Sequence, residues 1–590
     1  MTIFARTSMP SPFLVGAAVA IAVLPLHAAA APKTATPIEH VIVVVGENRS
    51  FDHLYGVYKP PRGQAIKNLV SAGIVRADGA PGPNYRLAAQ KMADMSKGYT
   101  PTPPITGSYG TLPQPYASGA FGQQQGAPDS RFPAELANGP FPITRYVSLG
   151  AHTGDPIHRF FQMWQQVNGG TNDLFVWTAN NFGFYRGDNV ASVDSVPTYQ
   201  GAVAMGFYNM AQGDAPYFKQ LAERYTIADN YHQAILGGTA ANYVAMVAAD
   251  VAFHTVDDKK AAPPAEQVLK LQLLKNGKQL VENGGVYLQC ADQNADGVAP
   301  IQNYLNNLPY RPFNNGNCEP GAYYMVNNLD PSYTANLQGI TLGSDKWLLP
   351  PQVMPNIGDT MSQAGVSWKW YSGGRNDGKK VDKEYCGMCD PLTFFKSTMT
   401  GADQNKLLDL QQFYVDVKDV KHFPAVTFIS TYDSISGHPG YAMETGFEEL
   451  VKGIVDRVKA NPELWKKTAI LITFDEGGGY YDSGYVQFVD FFGDGTRVPM
   501  VAVSPYARRG GVDHTYYDHA SIVKFIERNW NLPALSQRSR DNLPNPVHDK
   551  ANPYIPKNRP AIGDLMNMFD FSRKSSAHSV PDPVQQNAKR

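Results

Sequence analysis

The chain has 590 residues, a mass of 64.6 kDa, 43% hydrophobic and 17% charged residues, and a formal net charge of -1. That mixture can bury a large core, and it excludes a disordered or fibrous protein. The near-neutral balance, with Lys and Arg dispersed and no dense basic run, argues against a nucleic-acid partner.

In chain order, residues 1–31 read as a secretory signal peptide. Arg6 supplies a positive start, "FLVGAAVAIAVLPL" (Phe13 to Leu26) an apolar core, and "HAAAAP" small-residue cleavage sites near Ala30 or Ala31. The apolar run is short for a spanning helix and is broken by Pro25, so no transmembrane anchor is expected after its removal. A secreted or periplasmic location follows, where disulfides persist.

The mature part, 32–573, reads as one domain. It opens with "HVIVVVGENRSFDHLYG" (His40 to Gly56), a buried-strand pattern that ends abruptly on Glu47 and Asn48. Residues 59–142 are rich in Pro, Gly, Gln and Ser and are expected to form a surface insertion covering a site. A second irregular insertion is expected near 251–405. It carries all four cysteines, for which Cys290 with Cys318 and Cys386 with Cys389 is the simplest of three pairings; "CGMC" as half a zinc site is the alternative. From Phe423 on, "FPAVTFIS", "TAILITFDEGGG" and "VPMVAVSPYARRGG" read as buried strands, separated by the helical patterns "TGFEELVKGIVDRVKA" and "DHASIVKFIERNW". Strands alternating with helices predict a mostly parallel sheet. Residues 574–590 read as a polar tail.

In open α/β sheets reactive groups gather beyond the carboxyl ends of the strands. Three segments end there in chemistry: "VIVVV" in Glu47 and Asn48, "AILITF" in Asp475 and Glu476, and "AILGG" in Thr239 at the start of a helical pattern. Taken singly, an Asp-Glu-Gly-Gly run or a Glu-Asn pair is more often a solvated turn or cap. Together the four oxygen donors would repel unless a divalent cation neutralised them.

The blocks "ENRSFDHLYG" (47–56), "TFDEGGGYYD" (473–482), "GTRVPMVAVSPYAR" (495–508) and "YYDHASIVKFIERNW" (516–530) resemble, in order, the bacterial phosphoesterase family of phospholipases C and secreted acid phosphatases. The resemblance implies an alkaline-phosphatase-like α/β/α sandwich with a mostly parallel central sheet, long loop insertions, and hydrolysis of a phosphate ester. It places metal ligands at Glu47, Asn48, Asp475 and Glu476, the nucleophile at Thr239 in "GGTAANY", and catalytic histidines at His438 in "SGHPGY" and His158 in "GDPIH", with His152 less favoured. Asn242 and His519 are assigned to substrate binding; for His519 a structural role beside the helix cap Asp518 stays open. Where the phospholipase branch reads Thr-x-Pro-Asn-Arg this chain has Tyr243 in place of the Arg, and where that branch reads Tyr-Asp-His it has Ser483 in place of the His.

The resemblance thus implies one divalent metal ion and a phosphate-ester substrate. The oxygen-rich ligands do not choose among calcium, magnesium, manganese and zinc. Thr239 is expected to form a phosphothreonine, and protonated His438 and His158 to serve the leaving oxygen, giving an acidic optimum. An acid phosphatase is the main expectation and a phospholipase C the alternative, because phospholipases of this kind often carry C-terminal modules and only about sixty residues follow the last motif. A non-catalytic binding protein on the same scaffold is the third reading.

Overall fold

The computed structural model describes residues 32–117, 126–184, 199–273, 280–333, 347–376 and 381–572. The expected signal peptide and the tail 574–590 lie outside the described residues. Among those described, no helix is long and apolar enough to cross a membrane.

Eight strands form the central sheet: β1 His40–Gly46, β2 Thr226–Ala228, β3 Trp368–Ser372, β4 Leu407–Asp409, β5 Val426–Ser430, β6 Thr468–Phe474, β7 Met500–Val503 and β8 Val512–Asp513. Their order is β4-β3-β5-β1-β6-β7-β2-β8. All neighbours pair in parallel except around β7, which runs against both β6 and β2. β1 and β6 sit centrally and are buried almost throughout, which is why both read as unbroken runs of branched residues rather than as an alternation.

Helices cover both faces. They are α1 Pro216–Arg224, α2 Thr239–Ala248, α3 Ile357–Gln363, α4 Leu410–Asp416, α5 Glu444–Lys459 and α6 Ala520–Trp530. On one face Phe447 of α5 packs on Phe474 of β6 and on Phe218 of α1, and Tyr371 of β3 packs on Phe413 of α4. On the other, Trp370 stacks on Phe428 with ring centroids 4.8 Å apart, and α3 lies over Trp368; α2 packs against α3 and α6. The result is a three-layer α/β/α sandwich, as the sequence implies.

Two expectations change. The stretch 251–405 is not an insertion to its end, because Trp368–Ser372 enters the sheet as β3. Its "WKWYS" has too few residues to show a period, and the irregular segments on either side conceal it. "AILGG" is not a strand: β2 ends at Ala228, and ten residues of loop separate it from Thr239. The cysteines pair as Cys290–Cys318 and Cys386–Cys389.

The loops above the carboxyl ends are tied together by buried arginines. Arg497 donates to both oxygens of Asp482 at 2.8 and 2.9 Å, to Asp52, and to the carbonyls of Lys67 and Asp229. It thereby joins the segments that follow β1, β6 and β2. Arg540 binds Asp490, Asp494 and Asp518 and the carbonyl of Ala234, just before Thr239. Removing Arg497 would leave two carboxylates buried without a counter-charge, so Arg497→Met is expected to cost about 3–5 kcal/mol. Urea unfolding measures this; a midpoint unchanged from wild type would show that the ion cluster does not hold the loops.

Candidate active site

β1 and β6 are adjacent, with Gly46 level with Phe474, so the next residues of both strands leave the sheet side by side. The pairing continues one step further: Asp475 N–H donates to the carbonyl of Gly46, and Asn48 N–H donates to Asp475 Oδ1 at 3.0 Å. Asn48 takes a left-handed backbone, φ 62°, which turns the chain sharply after Glu47. Gly478 faces it so closely that a Cβ there would sit 2.5 Å from Asn48 Cβ, and its own φ is 59°. The glycine run after Asp475-Glu476 therefore lets two strand ends close on each other.

The side chain of Asn48 organises the histidines. His438 Nδ1–H donates to the carbonyl of Pro439 and His158 Nδ1–H to that of Pro156, which leaves both Nε2 atoms as acceptors. Asn48 Nδ2 lies 2.9 Å from His438 Nε2 and 3.4 Å from His158 Nε2 and donates one hydrogen to each. With the amide so oriented, its Oδ1 points away and has no hydrogen-bond partner, although it is buried. Asp475 Oδ2 and Glu476 Oε2 are likewise buried without partners. Burial pushes Glu476 and Glu47 well above the usual carboxylate range and Asp475 up to about 7; for both glutamates the neighbouring Asp475 charge adds to it.

Three orphaned oxygens among desolvated carboxylates suit a hard divalent cation, and Glu47, Asn48, Asp475 and Glu476 are the residues that would hold it. The carboxylates of Glu47, Asp475 and Glu476 do not form one tight cluster. Among the described residues, the acidic and histidine groups whose ligand atoms all lie within 4.8 Å are instead Asp155–His158–His438, and Glu47 with Cys386 and Cys389.

Thr239 begins α2 and is 3% exposed. Its hydroxyl donates to Glu476 Oε1 at 3.4 Å and also supports the charged form of Asp475. Gly238 before it is required by packing: a Cβ would lie 2.3 Å from Asn328 Oδ1, the atom that accepts from Ala240 N–H. Gln233 fastens this loop to the glycine run by accepting from Gly477 N–H. Thr239, His158, His438 and the four proposed ligands are thus brought to one place from five separate segments.

Two assignments are corrected. Asn242 does not face the site: its Oδ1 accepts from Ile235 N–H and its Nδ2 donates to the carbonyls of Ile235, Gly237 and Gly238, so it holds the glycine turn. His519 is fully buried behind the site, donating from Nε2 to the carbonyl of Asp475 and accepting at Nδ1 from Tyr231 OH. Both ring nitrogens are thus taken up, one of them in holding the backbone of Asp475. The expected proton reservoir on His438 also changes, because burial, helped by nearby His158, lowers this ring to about 4 and keeps it neutral at milder pH.

Sequence reasoning missed Asp155, Tyr441 and Arg49. Asp155 Oδ1 lies 3.5 Å from His158 Nδ1. Tyr441 stacks on His438 with ring centroids 4.2 Å apart and donates to Glu47 Oε2 at 3.4 Å; it is 44% exposed and so marks the mouth of the site. Arg49 binds Glu444 and the carbonyl of Gly437 and fixes the loop that carries His438. All three stand within three residues of a residue singled out from the sequence, and that nearness was the signal.

A profile of the Phosphoesterase family matches residues 38–533. Phospholipase C B of Mycobacterium tuberculosis is 22% identical over 538 residues, covering 85% of this chain and 75% of that protein. A probable acid phosphatase of Kluyveromyces lactis is 25% identical over 225 residues, covering 36% of this chain and 51% of its own. A solved protein of the alkaline phosphatase superfamily from Vibrio parahaemolyticus aligns with a TM-score of 0.25 and 9% identity, over 53% of this chain and 59% of that one, a likeness too distant to bear on the site.

If His519 positions Asp475, His519→Ala should weaken binding of the divalent cation about 10- to 100-fold, as loss of such supporting contacts does. Titration calorimetry with magnesium, manganese, calcium and zinc measures it. Unchanged affinity with a raised KM would return His519 to substrate binding.

Proposed function

The chain belongs to the Phosphoesterase family and is a phosphoric ester hydrolase, and we propose that it acts as a secreted, metal-dependent acid phosphatase on phosphate monoesters through a phosphothreonine intermediate. The observation that carries this reading is the Thr239 hydroxyl at the start of α2, donating to Glu476 beside three orphaned ligand oxygens. A nucleophile needs a neighbouring group that takes or weakens its proton, and Glu476 is within reach.

Glu47, Asn48, Asp475 and Glu476 would hold a divalent cation, which when bound would supply positive charge favouring the ionised hydroxyl and stabilising charge on the phosphoryl oxygens. Thr239 Oγ gives its proton to Glu476 and attacks phosphorus in line; the bond to the ester oxygen breaks, and the leaving oxygen takes a proton carried at Nε2 of His158, which in that form no longer accepts from Asn48 and lies beside Asp155, nearer the solvent than His438. Water then attacks phosphorus and passes a proton to His158, which lost one in the first step; the P–Oγ bond breaks, inorganic phosphate leaves, and Thr239 Oγ takes back the proton that Glu476 accepted from it. Neutral His438, held by Pro439 and stacked on Tyr441, keeps Asn48 oriented.

The recessed position of Thr239 favours a terminal phosphate, which can enter end-on, whereas a diester must admit a substituent on each side of phosphorus. A phospholipase C is the second reading, favoured by the long alignment with Phospholipase C B. Hydrolysis of p-nitrophenyl phosphate and of phosphatidylcholine, compared at acidic and neutral pH, separates them.

Thr239→Ala should lose at least about 1000-fold in kcat, while Thr239→Ser keeps a substantial fraction because the oxygen remains. Were Thr239 only a helix cap, the loss would be about 1 kcal/mol of stability and little rate. A folded, metal-loaded Thr239→Ala enzyme turning over near the wild-type rate would rule out the covalent route.

A further inference from the structure

The "CGMC" segment is not used by the chemistry above, yet it lies against it. Cys389 Sγ is 3.3 Å from Glu47 Oε1, and one ligand atom each from Glu47, Cys386 and Cys389 falls within 4.8 Å of the others. We propose that these three residues form a redox-gated site for a thiophilic divalent cation of the zinc class, shut while the cysteines are paired and opened by reduction.

Paired sulfurs offer no thiolate, so in the oxidised protein Glu47 has no soft partner. Reduction breaks the bond between Cys386 and Cys389 and turns the pair into two thiolate donors. Cys-x-x-Cys is zinc-ligand spacing, and two thiolates with one carboxylate leave a fourth position for water. The segment is anchored independently of the disulfide: Asp390, next to Cys389, is buried in an ion pair with Arg375 and accepts from Tyr385 OH at 2.9 Å. Cys389 is buried and Cys386 half-buried, so an incoming thiolate meets the sulfur of Cys386 first.

With a dithiol, attack on Cys386 breaks the S–S bond and releases the Cys389 thiolate. The second thiol then displaces Cys386, closing the reductant's own disulfide. Two electrons and two protons end on the cysteines, and both protons pass to solvent when the cation binds. Glu47 then serves the soft cation and is withdrawn from Asn48, Asp475 and Glu476. Only that last consequence rests on the function proposed above.

The test uses the full-length, metal-loaded enzyme with zinc chloride, before and after a water-soluble trialkylphosphine, which reduces the disulfide, becomes its own oxide and leaves no competing thiol. Native mass spectrometry should count one zinc more per chain in the reduced protein. The rate on p-nitrophenyl phosphate should fall by about tenfold or more and return on reoxidation. Cys386→Ser/Cys389→Ser should take up no further zinc in either state and keep a rate near that of the oxidised wild type. The site is overturned if the reduced wild type gains no zinc or if the double variant gains it equally; zinc uptake at an unchanged rate overturns the part given to Glu47. If no sample hydrolyses any phosphate ester, the proposed function fails, while the zinc count still decides the site.

Discussion

The structure depends on keeping Glu47, Asp475 and Glu476 out of water at the ends of two neighbouring strands. Buried carboxylates this close repel and lose hydration, and burial holds all three above their ordinary range. The surrounding architecture can be understood as what makes that arrangement tolerable. Asp475 Oδ1 accepts from two backbone N–H groups, Thr239 and Tyr441 donate to the glutamates, and the oxygens still without partners are those a cation would take.

The buried arginines do related work one layer out. Arg497 and Arg540 each serve several aspartates and carbonyls, a use suited to the planar five-donor guanidinium. Residues in the recognised blocks thus divide into two kinds. Glu47, Asn48, Asp475 and Glu476 are the ligands proposed for a cation, while Asp52, Asp482, Arg497 and Asp518 form ion clusters that tie the loops above the sheet together.

Asn48 connects these levels. Its left-handed backbone turns the chain, its N–H binds Asp475, its amide nitrogen aligns two imidazoles, and its remaining oxygen is left for a ligand. An aspartate at this position would present no donor to either Nε2, so the amide, rather than a fourth carboxylate beside Glu47, Asp475 and Glu476, fits a site already rich in negative charge.

Much of this was legible in the sequence because it is local. β1, β5 and β6 announce themselves as apolar runs, α5 and α6 as 3.6-residue patterns, and the proposed ligands as the polar positions immediately after two strands. His158 and His438 were reached only through the resemblance of longer blocks, and Thr239, singled out after two glycines, gained its role as nucleophile only there, since a lone hydroxyl and isolated histidines carry no period. What tertiary structure alone decided is which side chains face inward. Asn242 and His519 have the right chemistry for a ligand, but their hydrogen bonds are consumed by the glycine turn and by the backbone of Asp475; Asp155 and Tyr441 look ordinary in sequence but complete the site. Periodicity records which face of an element is buried, whereas the partner of a polar side chain is set by segments hundreds of residues away, and no local pattern contains it.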